Sequence, residues 1–160
     1  RMWFPIDVEA IAEAQARGET RDFAALRPEG LDAASAAMTG FLDALDAPLE
    51  RLILGGFSQG AMLAVELALA APSPPRGLFI LSGNLVDEES LRKRGPARAG
   101  LRFFQSHGTS DPILGYRGAE RLAAALGECG LSGEFVSFDG GHSIALEAMS
   151  RFQAFLDSLL

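Results

Sequence analysis

Short apolar runs alternate with longer helical patterns from residue 51 onwards. The runs are rich in leucine, isoleucine and phenylalanine and are separated by turn-forming residues, as is typical of strands in a sheet. They occupy residues 51–57, 77–82, 101–106 and 133–138. We therefore predict four strands. The first two are apolar at successive positions, as expected of strands that are covered on both faces.

Apolar residues at helical spacing fill the stretches between these runs. They predict helices over residues 59–71, 116–129 and 144–159, and two more before the first strand, over residues 8–16 and 28–45. The helix over 59–71 is apolar almost all round, which predicts that it is buried. Alternating strands and helices predict βαβ units. The expected fold class is therefore α/β, with a mostly parallel sheet and helices on both faces.

Length and charge narrow the class of protein. The length of 160 residues suits one domain, so we interpret residues 1–160 as a single α/β domain. The net charge of −7 argues against nucleic-acid binding, and the one basic cluster, Arg92-Lys93-Arg94, is interpreted as a solvated turn. No apolar run approaches the roughly 20 residues that cross a bilayer. The single cysteine, Cys129, is interpreted as a core residue and favours a cytoplasmic location.

A serine stands where the first predicted strand meets the buried helix. The residues around it, Gly56-Phe57-Ser58-Gln59-Gly60, match the G-x-S-x-G pattern of a nucleophile elbow. In parallel sheets, ligands bind at the carboxyl ends of the strands, which is where this turn lies. We therefore predict that Ser58 is a nucleophile and that the Gln59 backbone N–H, at the helix amino terminus, stabilises an oxyanion.

A phosphate-binding loop is the main alternative at this turn. The dinucleotide pattern requires glycine at its first, third and sixth positions, and Phe57 occupies the middle one. The P-loop requires Gly-Lys followed by Ser or Thr, but Ala61 follows Gly60. Both patterns fail, which disfavours a nucleotide-binding domain.

A serine nucleophile needs a base, and the chain has two histidines. His142 lies in a glycine-containing loop between the last strand and the last helix, at the carboxyl edge of the predicted sheet. His107 ends the third strand and is expected to pack or hydrogen-bond near the site, although it remains the alternative base. We predict that His142 is the base.

The base needs an acid that fixes its tautomer. Asp111 lies in the loop after the third strand and is the first candidate, with an Asx turn before Pro112 as the structural alternative. Asp87, after the second strand, is the second candidate. Asp139 is too near His142 in sequence to reach its ring. The order Ser58, Asp111, His142 is that of the α/β-hydrolases.

Four sequence blocks in this order resemble the phospholipase/carboxylesterase family, which includes the acyl-protein thioesterases and small bacterial carboxylesterases. The blocks are Gly55-Gly56-Phe57-Ser58-Gln59-Gly60-Ala61, Leu81-Ser82-Gly83, His107-Gly108-Thr109-Ser110-Asp111-Pro112 and Gly141-His142, and Trp3-Phe4 with Ile6-Asp7 resembles an upstream segment. The resemblance implies a cofactor-free α/β-hydrolase esterase that acts on acyl esters or thioesters. It implies the triad Ser58, Asp111 and His142, with an oxyanion donor at Gln59.

The family normally has a further stretch before the Trp-Phe segment, with the first strands and a His-Gly-rich loop that supplies a second oxyanion N–H. No such stretch is present in residues 1–160. The strand over 51–57 would then expose an apolar edge, which proteins normally avoid. We therefore expect this chain to be a carboxyl-terminal portion, or to be completed by a complementing N-terminal segment or by a second copy.

The expected substrate is a small-molecule acyl ester or thioester. Its acyl group would lie in an apolar pocket near the strand ends, for which the candidates are Trp3, Phe4, Leu85, Ile113 and Leu114. Neither a metal nor a cofactor is expected. The alternative function is a catalytically weak or inactive α/β-hydrolase module that binds a ligand or a partner.

Overall fold

Residues 2–160 are described by a computed structural model, and they contain one parallel sheet. Its strands are β1 (Ile53–Phe57), β2 (Gly77–Leu81), β3 (Arg102–Gly108) and β4 (Ser132–Phe138). They lie side by side in the order β1-β2-β3-β4, and every neighbouring pair is parallel. All four carboxyl ends therefore meet at one edge of the sheet, which is the edge where ligands bind in folds of this class.

Six α-helices accompany the sheet in residues 2–160. They are α1 (Val8–Ala16), α2 (Leu31–Asp43), α3 (Gln59–Ala70), α4 (Glu88–Arg94), α5 (Tyr116–Glu128) and α6 (Leu146–Asp157). Short 3₁₀ turns at Leu49–Arg51 and Gly95–Arg98 precede β1 and β3.

Helices cover both faces of the sheet. The larger apolar cluster joins α3, α4 and α5 to β1, β2 and β3 through residues such as Ala61, Leu78 and Leu126. A second cluster joins α6 to the opposite face through Phe104, Phe155 and Leu159. The predicted α/β class, with a parallel sheet and helices on both faces, is confirmed.

The helix predicted over 28–45 is shorter than expected. It begins at Leu31 because Gly30, with φ 81°, has a left-handed backbone conformation that a helix cannot continue through. Pro28 therefore lies before the helix rather than in its first turn.

The interpretation of Arg92-Lys93-Arg94 as a solvated turn is wrong. These residues form the last turn of α4, which the sequence pattern did not predict. The Asp87 side chain accepts a hydrogen bond from the Ser90 N–H and caps the helix. Acidic residues in the first turn and basic residues in the last complement the helix dipole. This helix is too short for its apolar positions to show a helical repeat.

Glu66 interrupts the otherwise apolar helix α3, yet it is buried, with 8% of its surface exposed. Its carboxylate accepts hydrogen bonds from Arg94 at 2.6 and 2.9 Å and from Arg27 at 3.0 Å. Burial raises the pKa of Glu66, but the bonds from Arg94 and Arg27 outweigh it, and the pKa falls below its ordinary value. Glu66 therefore joins α3 to α4 and to the segment before α2.

Among residues 2–160, none of the helices combines the length and the apolar character that crossing a bilayer requires.

Candidate active site

Ser58 occupies a sharp, strained turn between β1 and α3. Its backbone has φ 56° and ψ −122°, a region that non-glycine residues rarely adopt. Its N–H donates to the carbonyl of Leu81 at 2.8 Å, which ties the turn to the end of β2. A Cβ atom at Gly56 would lie 2.5 Å from the carbonyl carbon of Gly60, so a side chain there would block the turn. Close backbone approach thus explains Gly56, whereas a Cβ atom on Gly60 would meet only Trp3 Nε1, at an ordinary contact distance of 3.6 Å.

Gln59 contributes to the site with both its backbone and its side chain. Its N–H is the first of helix α3, and first-turn N–H groups have no partner within their own helix. Its side-chain oxygen accepts a hydrogen bond from the backbone N–H of Trp3 at 2.7 Å, and its side-chain nitrogen donates one to the backbone carbonyl of Phe4 at 2.7 Å. These two bonds hold the chain before α1 against the elbow, and the sequence pattern carried no signal for them.

The three residues predicted as a triad form one chain of hydrogen bonds. His142 Nε2 lies 2.8 Å from Ser58 Oγ, and His142 Nδ1 lies 2.7 Å from Asp111 Oδ2. A carboxylate oxygen only accepts, so Nδ1 carries the proton and Nε2 faces the serine hydroxyl as an acceptor. This geometry suits transfer of a proton from Ser58 to His142.

Asp111 is buried, and four nitrogen atoms lie close to its carboxylate. Its Oδ1 accepts from the backbone N–H groups of Ile113 and Leu114 at 2.8 and 2.9 Å, while its Oδ2 faces His142 at 2.7 Å and His107 at 3.2 Å. Burial raises the pKa of Asp111, but the hydrogen bonds from the two histidines and the two N–H groups outweigh it. The pKa is held well below its ordinary value, and the carboxyl group is ionised.

His107 lies behind the acid rather than beside the serine. Its side chain is fully buried, and its Nε2 is 2.7 Å from the carbonyl of Leu114 as well as 3.2 Å from Asp111 Oδ2. A carbonyl oxygen only accepts, so Nε2 carries the proton. The Nε2–H of His107 thus donates to the Leu114 carbonyl while lying near Asp111, and His142 is the imidazole that contacts Ser58.

Neither alternative acid lies beside His142. Asp87 caps α4 and forms an ion pair with Arg27 at 2.8 Å. Asp139 is exposed in the loop after β4. Asp87 was the second candidate because it follows a strand, but its own helix and Arg27 engage its carboxylate.

The loop that carries His142 is held from two sides. Its beginning approaches β3 closely, since a Cβ atom at Gly108 would collide with the carbonyl oxygens of Gly140 and Gly141. Its far end is bound by the Ser82 hydroxyl, which donates to the Ser143 carbonyl at 2.8 Å. The ring of Phe57 lies against the His142 imidazole, with 4.9 Å between the ring centroids.

A largely apolar cavity of about 360 Å³ opens beside Ser58. Three of the predicted pocket residues line it, namely Phe4, Ile113 and Leu114. The remaining lining residues come mainly from the segment before α2 and from α3: Pro5, Ile6, Asp7, Ile11, Arg21, Phe23, Leu26, Arg27, Pro28, Glu29, Ser58, Gln59 and Met62. The sequence pattern did not single out the residues between 6 and 29, because nothing in their spacing shows that they fold over the elbow.

Leu85 and Trp3 do not line this cavity. Leu85 has no exposed surface and packs in the larger apolar cluster, so a substrate cannot reach it. Trp3 lies beside the elbow, with its Nε1 3.6 Å from a Cβ placed on Gly60, but half of its surface faces solvent. For Leu85 the predicted pocket position is corrected, since proximity to a strand end along the chain does not determine which way a side chain points. For Trp3 a contact with substrate stays a prediction.

Other reactive groups lie apart from the elbow. Within residues 2–160, no three His, Cys, Asp or Glu side chains are grouped closely enough to hold a metal ion. Cys129 is buried at the end of α5, and burial raises the pKa of its thiol, which disfavours the reactive thiolate.

Comparison with known proteins places this arrangement in a family. The sequence profile described as phospholipase/carboxylesterase matches residues 2–160. Acyl-protein thioesterase 1 of Mycosarcoma maydis is 32% identical over 125 residues, which are 74% of this chain and 52% of that protein. The same-named protein of Eremothecium gossypii is 34% identical over 116 residues, which are 71% of this chain and 49% of that protein. The chain thus spans about half the length of the curated relatives that it matches.

Solved structures agree with the sequence comparisons. Esterase PE8 superposes with a TM-score of 0.82 at 29% identity, over 99% of this chain and 70% of that chain. Acyl-protein thioesterase 2 of Zea mays superposes with a TM-score of 0.73 at 25% identity, over 88% of this chain and 71% of that chain. The fold is that of the α/β-hydrolases, and the chain belongs to the phospholipase/carboxylesterase family.

Proposed function

We propose that this chain carries the catalytic serine, acid and base of an esterase or thioesterase that hydrolyses acyl esters or thioesters. The observation that supports the proposal most directly is the continuous hydrogen-bonded chain from Ser58 Oγ through His142 to Asp111, at 2.8 and 2.7 Å. It lies at the carboxyl edge of the sheet and beside an apolar cavity. The relatives named as thioesterases and carboxylesterases support the same class of reaction.

The first half of the proposed reaction acylates Ser58. Ser58 Oγ attacks the acyl carbonyl carbon while its proton passes to His142 Nε2, and the negative charge of Asp111 stabilises the imidazolium that forms. The tetrahedral intermediate then collapses, the bond from carbon to the leaving oxygen or sulfur breaks, and His142 gives its proton to that atom. The alcohol or thiol departs, and the acyl group remains bound to Ser58 as an ester.

The second half regenerates the enzyme. Water attacks the acyl carbon while His142 Nε2 accepts a proton from it, and the acid is released as Ser58 recovers a proton from His142. In both halves a negative charge develops on the carbonyl oxygen, and the proposed donor that stabilises it is the Gln59 N–H at the amino terminus of α3. The family resemblance implies a second donor from a loop upstream of Trp3, which remains a proposal for the whole protein.

The substrate is proposed to be a small molecule with an apolar acyl group. Its acyl chain would occupy the cavity between the segment before α2 and helix α3, where Ile6, Phe23 and Met62 supply apolar surface. We also propose a cytoplasmic location, since the single cysteine is a buried free thiol. The expectation that a second copy or a complementing N-terminal segment completes the protein stays a proposal as well.

Hydrolysis of a p-nitrophenyl ester by wild type and Ser58→Ala tests the proposal. Loss of the nucleophile should reduce kcat by at least about 10³-fold, because triad members act as a unit. The matched control is Ser110→Ala, which removes an exposed hydroxyl from the loop after β3 and should leave kcat unchanged. Undiminished turnover by Ser58→Ala would refute the assignment.

The alternative function is an α/β-hydrolase module that binds a ligand without turning it over. The observation that favours it is the single oxyanion donor, Gln59, recognised among the described residues, since removing one such donor typically costs about 10²–10³ in rate. The same assay separates the two functions. Wild type that binds an apolar carboxylic acid but hydrolyses no ester would support the binding module.

A further inference from the structure

Ser82 is a strained and fully buried residue that the proposed reaction does not use. It follows the last residue of β2 and has φ 47°, a left-handed conformation that is uncommon for a residue other than glycine. It has no exposed surface. Residues held in such conformations cluster at functional sites, where the surrounding structure maintains the strain.

The surroundings fix Ser82 in this conformation. Its own N–H donates to the carbonyl of Ser106 at 2.9 Å, which ties it to β3. The next residue, Gly83, cannot carry a side chain, since a Cβ atom there would lie 2.8 Å from atoms of Ala61 and Ile80. The left-handed backbone therefore sets the direction of the Ser82 hydroxyl.

That hydroxyl points at the loop of the proposed base. Ser82 Oγ donates to the carbonyl oxygen of Ser143 at 2.8 Å, and Ser143 directly follows His142. The other backbone bond to this loop, from the Ser110 N–H to the Gly140 carbonyl at 3.0 Å, lies on the amino-terminal side of His142. Within residues 2–160, the backbone of the loop is thus bound to neighbouring strand ends on each side of the imidazole.

We propose that Ser82 is a positioning residue, which acts through its hydroxyl on the Ser143 carbonyl to hold the His142 imidazole between Ser58 and Asp111. The inference rests on the proposed function of that site. Ser82 is fully buried and cannot touch a substrate, so it acts only through the loop. Ser143 is an exposed residue, and its bond to Ser82 is only partly buried. We therefore expect loss of this bond to affect the placement of His142 more than the stability of the fold.

The variant Ser82→Gly separates the hydroxyl from the backbone conformation. Glycine adopts positive φ without strain, so the fold is retained while the donor is lost. We expect kcat for a p-nitrophenyl ester to fall by about 5-fold to 100-fold with little change in KM, since small displacements of a catalytic group cost rate rather than binding. Ser82→Cys, which keeps a weak donor, should lie between Ser82→Gly and wild type.

A matched control relieves the same kind of strain far from the site. Asp46, in the turn after α2, has φ 49° and is exposed, so Asp46→Gly should leave kcat unchanged. Wild-type kcat in Ser82→Gly would overturn the inference. So would a Ser82→Gly protein that fails to fold or melts well below wild type, because the hydroxyl would then serve the fold rather than the base.

Hydrogen exchange gives a readout that does not require turnover. Amides in residues 139–145 should exchange faster in Ser82→Gly than in wild type, and Asp46→Gly should not change them. Unchanged exchange in this loop would contradict the proposed tether even if wild type is an active esterase. Faster exchange in a protein without esterase activity would support the tether while the proposed function fails.

Discussion

Asp111 shows how one carboxylate can be both buried and ionised. Four donors surround it, two of them backbone N–H groups from its own turn and two of them imidazoles. The Asx-turn interpretation and the catalytic interpretation of Asp111 are therefore compatible. The turn uses Oδ1 and leaves Oδ2 for His142.

The depressed pKa of Asp111 predicts how stability depends on pH. Its folded pKa lies below the unfolded value of about 3.9, so the charged form stabilises the fold above that value and this contribution is lost as pH falls through the folded pKa. Asp111→Asn should thus lower the free energy of unfolding most at pH 7, and the difference from wild type should shrink below about pH 4. Urea denaturation at pH 7 and pH 3 measures this.

The exposed Asp139 provides the control for that series, because Asp139→Asn should change the free energy of unfolding little at either pH. A difference between wild type and Asp111→Asn that grows as pH falls would contradict the account.

The two histidines should respond differently to substitution. His142→Ala removes the proposed base and should lower kcat by at least about 10³-fold. His107→Gln keeps an N–H donor near Asp111 and Leu114 and should lower kcat by less than about 10²-fold, below the range of general acid–base effects, because His107 does not contact Ser58. Ester hydrolysis by the two purified variants measures both. A larger loss of kcat in His107→Gln than in His142→Ala would indicate that His107, and not His142, is the base.

Sequence reasoning located the residues that follow strand ends, because a parallel sheet brings those ends together. Ser58, Asp111 and His142 could be predicted on this basis. The Ser82 hydroxyl and the Gln59 side chain could not, since their partners, Ser143 and the Trp3-Phe4 segment, lie far away in sequence. Tertiary packing determines which distant loops contact each other, and spacing along the chain does not predict those contacts.

At the level of elements, α4 is where charge patterning matters. Arg94 bonds to the buried Glu66 of α3, whereas Arg92, two residues earlier, pairs with Glu88 and Glu128 at the surface. The sequence contained the Asp87 cap and the charge asymmetry of a helix. The burial of Glu66 could not be predicted from the sequence, because a carboxylate in an apolar helix does not show which residues will pair with it.

Removing Arg94 should therefore destabilise the fold far more than removing Arg92. Arg94→Ala leaves the buried Glu66 with Arg27 alone and should cost about 2–3 kcal/mol, somewhat less than the loss of a sole buried partner. Arg92→Ala removes only surface pairs and should change the free energy of unfolding little. Chemical denaturation compares the two. Equal effects would show that the contact between Glu66 and Arg94 contributes nothing beyond a surface pair.

At the level of the whole molecule, β1 is an edge strand within residues 2–160. The Ser58 N–H bonds to β2, and bonding direction alternates along a strand, so the N–H groups of Ile53, Gly55 and Phe57 point away from β2. The open edge was predicted from the family's missing upstream strands, and the apolar composition of residues 51–57 predicted its apolar character. The sequence could not show what, if anything, covers it.

Hydrogen exchange on the 160-residue chain would show whether this edge is covered. The amides of Ile53, Gly55 and Phe57 should exchange at least about tenfold faster than those of Leu54 and Gly56, since exposed backbone groups are protected least. Equal protection of both sets would contradict an open edge and would indicate that a second copy pairs with β1.

The central claim is that Ser58 is an activated nucleophile. A fluorophosphonate probe reacts with such a serine by forming a bond from phosphorus to Oγ with loss of fluoride, and digestion followed by mass spectrometry locates the label. We predict that the label lies on Ser58 in wild type and that His142→Ala reduces the labelling rate by at least about 10²-fold, since His142 is the group that takes the serine proton. A label on another residue, or unchanged labelling in His142→Ala, would contradict the account.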